Sequence, residues 1–127
     1  MSILLAADIG RRRTGLAIAD TVAGFVVALE TLQHRNEEEL IKGVMNIVSA
    51  KKVTEFFIGL PLLPQGDDGE QSLYVRSIAS VLEKQSGLPV TLLDERYTTA
   101  KGGESDPDAR AACDLASVAL QIRENRS

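Results

Sequence analysis

The chain has 127 residues and a formal net charge of −4. That length suits one hydrophobic core, and the charge leaves no global positive field to gather nucleic acid, so any such contact must come from a local patch. Hydrophobic residues make up 44% and charged residues 25%, an ordinary globular composition. No apolar stretch approaches the ~20 residues of a membrane helix, and the run from Ile3 to Ala7 is too short for a signal peptide. Cys113 is the only cysteine, which excludes an intrachain disulfide and fits a reduced, cytoplasmic setting without membrane partners.

In chain order, "SILLAAD" (2–8) reads as a strand buried on both faces, followed by the turn "IGRRR". "TGLAIAD" (14–20) and "GFVVALETL" (24–32) read as the second and third strands, joined by short glycine-punctuated linkers, so the first three strands form an antiparallel meander. Asn36 opens a helix with Glu37, Glu38 and Glu39 in its first turn, where the dipole favours acids. Leu40, Ile41, Val44, Ile47 and Val48 give it a core face. "VTEFFIGL" (53–60) is a fourth strand, and "PLLPQGDDG" (61–69) is a loop. A second helix spans 70–87, with Leu73, Ile78, Val81 and Leu82 as its apolar positions and Gly87 as its cap. "LPVTLLD" (88–94) is a fifth strand and 98–106 a polar loop. Asp106 then caps a last helix that begins at Pro107 and reaches about Glu124. The order βββαβαβα implies a single α/β domain, 1–127, with one five-stranded mixed sheet flanked by helices.

Three sets of acids stand out. Asp8 closes a buried strand, where a carboxylate must be paired with Arg11, Arg12 or Arg13, cap the turn, or bind a metal. Asp94 and Glu95 end the fifth strand, which the topology runs parallel to the first, so all three emerge at one sheet edge. Ligands of open α/β sheets favour that edge. Asp114 lies beside a stripe of Ala111, Leu115, Val118 and Ile122 on the last helix, either as a third member of the cluster or as a boundary residue bonded to a strand. Carboxylates without cysteine or histidine suit Mg²⁺ or Mn²⁺. His34, the only histidine, falls in a loop, which disfavours zinc. The basic triplet Arg11–Arg12–Arg13, Arg96 after the acid pair, and Arg76 on the second helix suit contacts to phosphates.

These segments resemble the YqgF family of RNase H-like nucleases, also described as Holliday junction resolvases or pre-16S rRNA nucleases. "ADIGRRRTGLAIAD", "FFIGLPLLPQGDDG", "VTLLDERYTTA" and "CDLASVALQI" match its motifs in order over nearly the whole chain. The resemblance implies an RNase H-like fold and a divalent-metal nuclease with Asp8, Glu95 and Asp114 as catalytic ligands. Glu95 is preferred to Asp94 because neighbours on an extended strand point to opposite sides. On a nuclease reading, Arg12, Arg13, Arg76 and Arg96 would hold phosphates, and Thr98 or Thr99 would position a backbone oxygen. The implied role is 5′-end maturation of precursor 16S rRNA, with structured precursor RNA and the small ribosomal subunit as partners. Cleavage of branched DNA and non-catalytic binding of nucleic acid or ribosome are the alternatives. Either a monomer or a homodimer is compatible, and a junction resolvase needs the dimer. Two features depart from the family pattern: the stretch between Thr99 and Asp114 is short, and Arg110 alone represents the basic residue before the last acid.

Overall fold

A computed structural model describes residues 2–95 and 107–126. Their order is β1 (Ile3–Ile9), β2 (Arg13–Asp20), β3 (Phe25–Ala28), β4 (Leu32–Gln33), α1 (Glu37–Lys51), β5 (Glu55–Leu60), α2 (Glu70–Ser86), β6 (Val90–Asp94) and α3 (Pro107–Arg126). The sheet runs β3-β2-β1-β5-β6, with β4 also paired to β2. The β1–β2 and β2–β3 pairs are antiparallel, whereas β5 is parallel to both β1 and β6.

The sheet therefore has six strands, not five, because the expected third strand is broken. Ala28 faces Ala17 while Leu32 faces Thr14, so four steps on one side match three on the other. That extra residue is a bulge, and it divides one edge strand into β3 and β4.

Alternation along the strands sorts the core into two layers. Leu5, Ala7, Ile9, Phe56 and Ile58 pack with the helices α1 and α2. Leu4, Ala6, Ala17, Ala19 and Phe57 pack with α3. On α1, Leu40, Ile41 and Val44 are buried. Asn36 caps this helix, its Oδ1 accepting from the Glu39 amide at 2.9 Å.

Two helical faces differ from the sequence pattern. On α2 the buried positions are Ser72, Val75, Ile78, Ala79 and Leu82, while Leu73 and Val81 are exposed. On α3 the buried stripe is Ala109, Ala112, Leu115, Ala116 and Ala119; of the expected stripe Leu115 is buried and Ile122 packs against this core, while Ala111 and Val118 are half-buried. Alanine weighs little in a hydrophobic pattern, yet against Ala6, Ala17 and Ala19 it lets helix and sheet approach closely. The approach is tightest at Gly15, where an added Cβ would collide with the Asp108 carbonyl. No helix among the described residues is long and apolar enough to cross a membrane.

Candidate active site

Because β1, β5 and β6 run parallel, their carboxyl ends share one edge of the sheet. Asp8 follows Leu4 and Ala6 in the alternation and so belongs to the α3 face. Glu95 lies one residue past β6, and its side chain lies over Gly59 of β5, in the space a Cβ would take. The missing side chain at Gly59 is what admits Glu95. There it forms a hydrogen bond with Asp8. Burial, that bond, the Asp8 charge and then the Asp94 charge push the Glu95 carboxyl up to about 8. Glu95 thus tends to keep its proton at neutral pH. Val90 and Leu92 pack with the α1/α2 layer, so Asp94, two residues further on, belongs to that opposite face.

Asp114 is not drawn into this pair. Among the described residues, no group of three or more acidic, histidine or cysteine side chains is close enough to hold a metal ion. Of the three expected ligands, Asp8 and Glu95 form a pair, and Asp114 stands outside it. The cause is the alanine stripe: Asp114 stands two residues from both Ala112 and Ala116, which face the sheet, and two residues turn a helix by roughly 200°. The Asp8–Glu95 pair does fit a hard cation, since its donors are carboxylate oxygens alone.

The arginines have different fates. Arg13 pairs with Asp108 at 3.3 Å. Arg76 pairs with Asp68 at 2.9 Å, and Ser72 donates to the same carboxylate at 2.8 Å. A phosphate must therefore compete for Arg76, which the basic pattern alone did not show. The Arg11 guanidinium lies 4.0 Å from the centre of the Tyr74 ring, a cation–π contact. Gln71 Nε2 donates to the Ile9 carbonyl at 3.1 Å. These last two contacts, neither legible in sequence, dock the β1–β2 turn on α2 next to Asp8. Arg12 is exposed and has no ion pair among the described residues. Arg96, Thr98 and Thr99 lie outside the described residues.

Taken together, the layered mixed sheet and the acid pair at its carboxyl edge define an RNase H-like α/β domain. The comparisons agree. Residues 2–111 match the family model described as RuvX: Holliday junction resolvase, a span that includes Asp8 and Glu95 and stops before Asp114. A Koribacter versatilis protein provisionally named a pre-16S rRNA nuclease is 34% identical over 98 residues, covering 77% of this chain and 64% of the relative. An Anaeromyxobacter dehalogenans protein of the same name is 32% identical over 126 residues, covering 94% of this chain and 92% of the relative. Among solved structures, T. thermophilus RuvC in complex with Holliday junction substrate superposes with a TM-score of 0.73, covering 98% of this chain and 96% of that one at 12% identity. That likeness shows the fold alone. The chain belongs to the RuvX family.

Proposed function

We propose that this chain is a divalent-metal-dependent endonuclease that hydrolyses nucleic-acid phosphodiesters, acting in the cytoplasm on the 5′ end of precursor 16S rRNA. The observation that carries the reading is the contact between Asp8 and Glu95 over Gly59, at the sheet edge where α/β ligands sit. The relatives' name supplies the RNA substrate. Asp8 and Glu95 would hold Mg²⁺ or Mn²⁺ through their carboxylate oxygens. When bound, the cation supplies Lewis-acid polarisation of the phosphate. Arg12 and Arg13 in the adjoining turn bind substrate phosphates, Arg96 and Arg76 extend that grip, and Thr98 and Thr99 orient the backbone. Asp114, which the resemblance adds as a ligand, enters this site only if α3 turns about its axis.

The test is cleavage of a precursor 16S rRNA fragment with Mg²⁺ or Mn²⁺. Wild type is expected to cut it, and Asp8→Asn to lose about a thousandfold or more while keeping its circular dichroism spectrum. Asp114→Asn is expected to stay within about tenfold of wild type, as its carboxylate stands outside the pair. Loss as deep as in Asp8→Asn would instead show that α3 rotates. Wild type inert on RNA with both metals would sink the nuclease reading and leave a binding module.

The family description favours a second reading, resolution of branched DNA. A four-way DNA junction assayed beside the RNA separates the two, and symmetric cutting by a stable homodimer would favour the junction.

A further inference from the structure

Beside the β1–β2 turn, on the sheet face opposite Asp8, lies an open cleft of about 460 Å³ lined by Arg12, Arg13, Gln33, His34, Arg35 and Glu39. His34 follows β4, and its amide donates to the Arg12 carbonyl at 3.0 Å. Its residue is only 4% exposed. One ring nitrogen, Nε2, is 2.9 Å from Thr14 Oγ1. The other, Nδ1, is buried with no hydrogen-bond partner. A buried polar atom left unpaired costs free energy and calls for a partner that is absent here. Thr14 pairs with Ile9 and Leu32, both of the α1/α2 layer, which places the imidazole on that face.

The surrounding charge selects the sign of the partner. Arg35 is held by Glu39, with Nη2 to Oε2 at 2.8 Å, and Arg13 by Asp108. Arg12 has no ion pair among the described residues. The cleft thus carries one uncommitted guanidinium beside an imidazole with a spare nitrogen, a set that takes an oxyanion and repels a cation. The cleft lies two strands from β1, about 10 Å across the sheet, with the Arg11–Arg13 turn between the two sites.

We propose that Arg12 and His34 form a second phosphate site, which holds a backbone phosphodiester of the nucleic-acid substrate at a distance from the one being cut. The proposal rests on the nuclease reading for its ligand, and the sheet end then serves as a two-point clamp. An anion seated there gives Nδ1 a partner when it carries a proton. Burial, and secondarily Arg12, lower the free imidazole below its ordinary value against the raising effect of Glu39, so His34 gains a proton as the phosphate arrives.

The single histidine makes the test direct, because its Cε1–H proton gives one assignable NMR titration. Wild type is titrated in EDTA alone, with inorganic phosphate, and with a single-stranded RNA oligonucleotide. The RNA is expected to raise the His34 pKa by roughly one unit. Arg12→Ala is expected to shrink that rise and to lower the salt slope of RNA binding by about 0.7. His34→Gln, which keeps a group able to meet Thr14, is expected to weaken binding about tenfold at pH 6 and little at pH 8. A purely structural histidine would not produce that pH profile. A His34 signal unmoved by RNA overturns the proposal, and so does one moved by inorganic phosphate alone. Cleavage with a silent His34 removes this site and spares the nuclease reading. A responsive His34 without cleavage removes the nuclease reading and spares the site.

Discussion

The two faces of the sheet are built on opposite principles. Towards α1 and α2 the core is large: Leu5, Phe56 and Ile58 meet Leu40, Val75 and Leu82, all fully buried. Towards α3 it is smaller: Leu4, Phe57 and Leu115 are the large members, and around them Ala6, Ala17 and Ala19 meet Ala112, Ala116 and Ala119, all fully buried. Burying a large apolar side chain contributes ~1.5–3 kcal/mol, so the first face supplies most of the cohesion. The second supplies close approach. Gly15, Gly59, Asp8 and Glu95 all belong to the alanine face, and there the acids come together. Cohesion and chemistry are thus assigned to different layers.

This contrast makes opposite substitutions damaging on the two faces. Phe56→Ala should cost the most, ~3–5 kcal/mol of unfolding free energy in a denaturant titration, and leave cleavage by the folded fraction unchanged. Ala116→Leu inverts the chemistry, adding volume where helix and sheet are close. It should cost ~1–3 kcal/mol by overpacking and, unlike Phe56→Ala, also lower cleavage per folded molecule, since α3 moves away from Gly15. If Ala116→Leu is neutral in both measurements, the alanine face is not close-packed and the contrast fails.

The smallest effect is a pH dependence, reduced by solvent screening because Glu95 is only half-buried. Glu95 holds its proton up to about 8 in the folded chain, against an ordinary value of 4.5. Between those values the folded state binds more protons than the unfolded state, so the contribution to stability is present at low pH and lost as pH rises towards 8. In EDTA the Tm should fall by a few degrees from pH 5 to pH 8, and Glu95→Gln should flatten that slope. With Mn²⁺ present the trend should reverse, because raising the pH frees the carboxylate for the cation. A Tm profile identical in wild type and Glu95→Gln would mean that Glu95 does not hold its proton in the folded chain.

Much of the architecture was legible because the strongest local signals pointed the same way. The alternation and apolar runs of β1, β2, β5 and β6, the cap at Asn36 and the glycine at Gly87 each marked an element that exists. Asp8 and Glu95 stood out as acids ending apolar strands. The bulge between β3 and β4 left no mark, because "VVALETL" carries residues that suit a continuous strand. Leu73 and Val81 misled for a related reason: helical spacing says which residues share a face, but not whether a neighbour covers it. His34 was placed in a loop by its context, and its burial against Thr14 depends on a residue twenty positions earlier.

By itself, then, the polymer determined which segments become strands and helices, their order, and which strand ends carry acid, since these depend on local periodicity, caps and turns. Only the tertiary structure decided which acids meet. That outcome rests on small residues far apart in the chain: Gly59 makes room for Glu95, Gly15 admits the start of α3, and the alanines of α3 turn Asp114 away. Steric room of this kind is a property of two surfaces in contact, and a one-dimensional pattern of hydrophobicity holds only one of them at a time.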